Sequence, residues 1–290
     1  MTRRILLIGH PVAHSFSARM QQAALDAVGI DAVYELADTP TPALQETVES
    51  LRGDDVLGAN VTIPHKERAA TFVDRKSEDA AATGAVNCIT KEGKRLVGHN
   101  TDVDAFRVSL DALVGKQKMP RTAMLLGAGG GARAAVHALI TMGFQRVVVF
   151  NRHLHRAEGL VKHFSRSAAH MELRAMPWHE SVLESELSRT KVLVNATSVG
   201  LASDESPLPG ELLPPDLLVM DMIYNPPETR LLRDAKAAGA AAIMNGELML
   251  LQQGAAAFTL WTGQAAPTDV MRQTLAEARA ATAGQPSELG

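Results

Sequence analysis

The sequence predicts an α/β chain of two domains, and three observations carry that expectation. Its 290 residues exceed the roughly 100–200 that one domain usually takes. Short apolar runs alternate with amphipathic segments up to about residue 100, and the pattern restarts at about residue 102. In the second half, a glycine-rich turn in LLGAGGGARAA separates an apolar run from a helical one.

Taken in order, ILLIG reads as a first strand, SFSARMQQAALDAVG as a helix, AVYELA as a strand, PALQETVESLRG as a helix and VLGANVTI as a strand. That alternation predicts a parallel sheet with helices on its faces. In GANVTIPHKERAA, Val61, Thr62 and Ile63 end the strand and Pro64 suits the first position of the next helix. His65 and Lys66 then fall in a first turn, where the helix dipole favours acids. A lysine there breaks a local rule, and such breaks are expected at functional sites. His65 reads as structural.

A helix is predicted from Asp102 to Leu113. The polar GKQKMPR leads from it into TAMLLGAGGGARAAVHALITMG, a strand, a tight turn and a helix. RVVVFNR, KVLVNATS and LLVMDMIY are three further β-rich runs, giving a second α/β domain over 102–245 after a first over 1–101. In 246–290, ELMLLQQGAAAFTLWTG and TDVMRQTLAEARAATA read as helices, and GQPSELG as a frayed end. From their pattern alone, these helices could close either domain.

Composition narrows the function classes. The chain is 46% hydrophobic and 21% charged, as soluble globular proteins are. A 4% aromatic content and a net charge of −3 argue against a nucleic-acid partner. The single cysteine, Cys88, sits in the apolar AVNCIT, which predicts a buried small hydrophobe rather than a nucleophile and excludes a disulfide framework. The apolar run before Gly9 is too short for a signal peptide, and no stretch approaches the roughly 18 apolar residues of a membrane span. A cytoplasmic protein, monomer or homodimer, with a small-molecule substrate is expected. His10, His14, His65 and His99 lack metal-ligand spacing, so no metal is expected.

Gly127, Gly129 and Ala132 match the dinucleotide pattern G-x-G-x-x-G/A directly after a strand and opening a helix. This predicts a Rossmann-like, doubly wound domain whose helix N-terminus takes a pyrophosphate. The next strand ends FNRHLHRAEGL, without the acid that accepts a ribose hydroxyl in NAD sites. Arg152 and Arg156, four apart, are expected to face one phosphate from neighbouring turns, which favours NADP over NAD. A solvated basic helix start would read the same way.

These residues resemble one family nearly end to end. GHPVAHSFS, NVTIPHK, GAVNCI, NTD, GAGGGAR, NR, NATS, DMIY and NGELMLLQQGAAAFTLWTG stand in the order of the shikimate dehydrogenases. The resemblance implies a substrate domain, an NADP domain, and C-terminal helices returning to the first. It also implies reversible NADP-linked reduction of 3-dehydroshikimate to shikimate, on the route to aromatic amino acids. By position, Lys66 and Asp102 would be the catalytic pair, and Ser15, Ser17, Thr62, Asn87, Tyr224 and Gln253 would line the substrate site. Gly127, Ala128, Gly129, Gly130, Gly131, Asn151, Arg152, Arg156 and Thr197 would hold the cofactor, with Met222 and Gly246 near the nicotinamide. The sequence departs from the family at Ala18, Gln21, Val103, His153 and Leu248. Quinate or an amino analogue of shikimate stays open as substrate, as does a non-catalytic NADP sensor.

The chemistry can be stated without the family. Oxidising a secondary alcohol by hydride transfer needs a base for the hydroxyl proton, and the reverse needs an acid. A lysine can do both where desolvation and a helix N-terminus disfavour its charge and a nearby Asp102 favours it. Ser15 and Ser17 alternate on what reads as extended backbone, which would put both hydroxyls on one side to meet a carboxylate; helix capping by one of them is the alternative. Asn87 could be a turn residue, and Tyr224 a packed aromatic. Gln253, inward among apolar neighbours, needs a partner that a substrate hydroxyl would supply.

Overall fold

The computed structural model describes residues 2–283; the tail expected to fray lies outside the described residues. The chain forms two compact units, one running to Thr101 and resuming at Leu250, the other Asp102–Met249.

The first unit contains β1 (Arg3–Gly9), α1 (Ser17–Ala27), β2 (Ala32–Asp38), α2 (Leu44–Ser50), β3 (Val56–Val61), α3 (Lys66–Ala69), β4 (Arg75–Lys76), α4 (Glu78–Thr83), β5 (Cys88–Glu92) and β6 (Arg95–His99). Its sheet runs β2-β1-β3-β5-β6-β4. The expected parallel sheet is in fact mixed: β5 pairs antiparallel with both β3 and β6. The reason is local, because the two-residue loop Gly93–Lys94 closes a hairpin, with Gly93 at φ 64. Glycine at the first loop position suits such a turn, and no crossover helix is then needed.

β1 shows how alternation builds two cores. Ile5 and Leu7 point into a cluster with Met20, Leu25, Phe258 and Met271, while Leu6 and Ile8 join Leu44, Val48 and Leu51 on the other face.

The second unit contains α5 (Asp102–Val114), β7 (Thr122–Leu126), α6 (Gly130–Thr141), β8 (Arg146–Phe150), α7 (Leu154–Phe164), β9 (Glu172–Met176), α8 (Glu180–Leu187), β10 (Val192–Asn195), β11 (Leu218–Asp221), α9 (Arg230–Ala237) and β12 (Ala242–Met244). All six strands are parallel in the order β12-β11-β10-β7-β8-β9, a doubly wound arrangement with its switch point between β7 and β10. The runs VVV and LLV, buried on both faces, are what such strands require.

Two C-terminal helices follow, α10 (Glu247–Thr262) and α11 (Thr268–Ala283). Phe258, Trp261, Met271 and Leu275 lie in the core of the first unit, so the helices close that unit. The change of unit, expected after residue 245, falls instead inside α10: Met249 packs in the core of the second unit and Leu251 in that of the first. No helix among the described residues is long and apolar enough to cross a membrane.

Candidate active site

In the first unit, polar side chains gather where the residue before β5, Asn87, and the loop after β6 approach α10. Asn87 is 2% exposed. Its Nδ2 donates to Thr101 Oγ1 at 2.9 Å, and its Oδ1 accepts the Thr101 backbone N–H at 2.7 Å. Because a backbone N–H can only donate, the orientation of the Asn87 amide is fixed. The Thr101 hydroxyl in turn donates to the Gln253 carbonyl at 3.1 Å, and Asn87 Nδ2 stands 3.4 Å from Gln253 Oε1. Gln253 Nε2 also donates to Leu250 O at 2.8 Å. The partner sought for Gln253 in a substrate hydroxyl is thus supplied in part by Asn87 and the Leu250 carbonyl. Thr101, which the sequence reading did not single out, ties Asn87 to Gln253, and its place in NTD beside Asp102 was a usable signal.

Thr62 leaves β3 with its N–H bonded to Ile8 O at 2.8 Å. The next turn is closed by His65 N–H to Thr62 O at 2.8 Å, and the buried His65 ring Nε2 bonds Thr39 O at 2.6 Å. His65 is therefore a structural tie, as expected. Lys66 opens α3, and its carbonyl accepts from Val86 N–H at 2.8 Å. Pro64 lies outside the helix, which has only four residues. So short a helix sums few peptide dipoles, and the dipole argument for Lys66 loses most of its force.

The two serines are not on extended backbone. Phe16 between them is helical at φ −73, ψ −13, and Ser15 Oγ accepts from Ser17 N–H at 3.2 Å at the start of α1. Ser15 therefore bonds the first N–H of α1 from outside the helix, whose N-cap is Phe16 with no side-chain cap, so neither serine is the N-cap, and Ser17 is buried. One turn further along α1, Gln21 Nε2 donates to Gly254 O at 2.9 Å, which sets this face of α1 beside Gln253. Cys88 is fully buried and burial pushes its thiol up, as for an inert side chain.

In the second unit the dinucleotide turn follows β7. Gly127 holds φ +108, and a β-carbon there would stand 2.8 Å from Ala196 O in the loop after β10. Only glycine meets both demands. A β-carbon at Gly129 would meet nothing within 4 Å, so the backbone opposite the start of α6 is open, as approach by a pyrophosphate requires. Ala128 is buried and offers backbone only. Gly130 and Gly131 begin α6, and a β-carbon on Gly131 would lie 3.3 Å from Met222 Sδ. A side chain at Gly246 would run into the Met222 carbonyl, and Gly246 N–H donates to Ile223 O at 2.9 Å. Gly127, Thr197, Gly131, Met222 and Gly246 are thereby brought together.

Asn151, after β8, donates from Nδ2 to His153 O at 2.9 Å. Arg152 and Arg156 are both exposed, but Arg152 precedes α7, whose N-cap is His153. The expected four-residue spacing on one helix does not apply; the two cations flank a helix start instead. Asp102 opens α5 and is 3% exposed, and Tyr224 is half-buried after β11. Both belong to the second unit, whereas Ser15, Ser17, Thr62, Lys66, Asn87 and Gln253 belong to the first.

Known proteins match this chain over nearly its whole length. The chain matches the family descriptions "Shikimate dehydrogenase substrate binding domain" over residues 7–89, "Shikimate / quinate 5-dehydrogenase" over 113–202 and "Shikimate 5'-dehydrogenase C-terminal domain" over 246–276. It is 40% identical over 287 residues to the shikimate dehydrogenase (NADP(+)) of Symbiobacterium thermophilum, covering 98% of this chain and 96% of that protein. The chain belongs to the shikimate dehydrogenase family.

Solved structures place it among both branches of shikimate dehydrogenase relatives. The Thermus thermophilus shikimate 5-dehydrogenase in complex with NADP(H) and shikimate superposes with a TM-score of 0.81 at 38% identity, over 95% of this chain and 99% of that one. The quinate dehydrogenase of Corynebacterium glutamicum in complex with NAD gives 0.84 at 28% identity, over 95% and 99%. The fold is thus common to enzymes of either polyol and either cofactor, and discrimination lies in individual side chains.

Proposed function

We propose that this shikimate dehydrogenase family member catalyses the reversible NADP-linked reduction of 3-dehydroshikimate to shikimate. The observation that carries the reading is full-length kinship to an enzyme of that name, 40% identical, in a chain whose Gly127 turn sits at the switch point of a doubly wound sheet.

The residues present fit NADP. The open backbone at Gly129 and the N-terminus of α6 suit a pyrophosphate. Arg152 and Arg156 suit the ribose phosphate, and no acid stands at the end of β8 to select NAD. Met222, against Gly131 and Gly246, is assigned to the nicotinamide end. When bound, the cofactor supplies or takes the hydride.

The chain's own residues handle the proton and the orientation. Lys66 Nζ is assigned to take the proton from the reacting hydroxyl and return it in reduction, and Asp102 to orient that lysine and hydroxyl. Ser15 and Ser17 are assigned to the substrate carboxylate, with Thr62, Asn87, Tyr224 and Gln253 on its hydroxyls. Such a pathway enzyme works in the cytoplasm, as monomer or homodimer, on a small molecule alone.

A panel of shikimate and quinate with NADP and NAD, followed by nicotinamide absorbance, tests the reading. Preference for shikimate with NADP supports it. Preference for quinate, or NADPH binding without any turnover, overturns it.

A further inference from the structure

Asp221 is a fully buried carboxylate that the reaction scheme leaves unused. It ends β11 opposite Asn195 of β10, which itself stands opposite Leu126 of β7, one residue before Gly127. The three form the last rung at the carboxyl edge of the sheet, beside the switch point.

Both carboxylate oxygens are occupied, and every partner is neutral. Oδ1 accepts from Asn195 Nδ2 and from the Ile223 N–H, each at 3.0 Å, and Oδ2 accepts from the Thr229 hydroxyl at 2.7 Å. Burial pushes this carboxyl up from the ordinary carboxylate range, and the three hydrogen bonds oppose that only in part. A buried carboxyl without a cation beside it costs stability, and an apolar residue would serve packing better. A carboxylate at this place therefore calls for a positional reason.

Its partners supply one. Asp221 Oδ1, which takes the Ile223 N–H, also takes Asn195 Nδ2, whose other contact is Val199 O at 3.4 Å, and so helps to keep the NH2 of Asn195 on this side and Asn195 Oδ1 on the other. Oδ1 then accepts both the Thr197 N–H at 3.0 Å and the Thr197 hydroxyl at 2.7 Å, and Thr197 Oγ1 accepts from Val199 N–H at 3.2 Å. This winds the loop that carries Ala196 O against Gly127. The bond to Ile223 N–H meanwhile closes the turn that carries Met222 between Gly131 and Gly246.

We propose that Asp221 is a positioning residue for cofactor binding, which acts through Asn195 and the Met222–Ile223 turn to hold the two loops beside the dinucleotide turn. The inference rests on the NADP reading above, which turnover of the unaltered enzyme with NADP decides before any variant is made.

The test compares Asp221→Ala, Asp221→Asn, Asn195→Ala and the double variant Asp221→Ala/Asn195→Ala by steady-state kinetics, NADPH fluorescence titration and thermal melting. Asp221→Ala is expected to raise KM for NADP by about tenfold or more while KM for shikimate stays within about twofold. Asp221→Asn keeps a carbonyl for Asn195 and Ile223 and is expected to fall between Ala and the native enzyme. The double variant is expected to weaken NADP binding by less than the two single variants combined, because the bond to Asn195 is common to both whereas the bond to Ile223 is lost only with Asp221. A folded Asp221→Ala enzyme with unchanged KM for NADP, equal rises in both KM values, or additive effects in the double variant overturns the proposal. If the alanine variant does not fold, Asp221→Asn decides: a rise of about threefold in KM for NADP alone supports the role, and an unchanged value overturns it.

Discussion

Asn87 and Thr101 are hydrogen-bonded to each other twice, side chain to side chain at 2.9 Å and backbone N–H to amide oxygen at 2.7 Å. The second bond survives any change of the threonine side chain, whereas the first depends on its hydroxyl. Thr101→Val should therefore leave the Asn87 amide pointing the same way but remove an acceptor from its NH2 and a donor from the Gln253 carbonyl. KM for shikimate is expected to rise by roughly 5- to 30-fold, the equivalent of about 1–2 kcal/mol, with KM for NADP unchanged. Steady-state kinetics with each substrate varied in turn checks the split.

Gly127 combines φ +108 with the Ala196 carbonyl 2.8 Å from the place of a β-carbon. Gly127→Ala should lower stability by about 1–3 kcal/mol through backbone strain and raise KM for NADP more than KM for shikimate. Chemical unfolding and kinetics on the same preparation test both parts.

Acid stability offers an independent check in the first unit. Asp74 accepts from Arg52 Nη1 at 2.6 Å and from Leu96 N–H at 2.7 Å, and these bonds, the arginine first, hold its carboxyl below the usual range. A folded-state value below the unfolded one gives stability that is present at neutral pH and is lost as pH falls through the folded value. Asp74→Asn should melt lower than the native protein at pH 7, and the gap should close as the pH falls below about 4. A gap that is constant with pH would show that the ion pair contributes nothing.

Much of this was legible in the sequence, and the failures have physical causes. Alternating burial of Ile5–Ile8 and the continuous apolar runs of the second sheet report directly on strand position. The edge strands Glu172–Met176 and Ala242–Met244 escaped notice because they are half-buried and carry no strong pattern. The hairpin at Gly93–Lys94 was hidden by its charged flanks, Lys91, Glu92, Lys94 and Arg95, although a glycine between two short runs is the usual sign of one. At the site, motif order located the residues but not their geometry. Lys66 begins a helix too short to polarise it, Ser15 bonds the backbone of Ser17, and Arg152 precedes its helix. Each depends on where a helix starts, which a single sequence fixes least well. Asp221 carried no signal as a functional group, because its partners lie on three separate loops.

Lys66 is the residue assigned to move the proton in NADP-linked shikimate oxidation. The most direct measurement is kcat for shikimate oxidation by Lys66→Met beside the native enzyme, with NADPH binding followed by fluorescence. In the methionine variant kcat is expected to fall by roughly 10²–10⁴-fold while NADPH binds as before. Near-native turnover by the methionine variant would contradict that role.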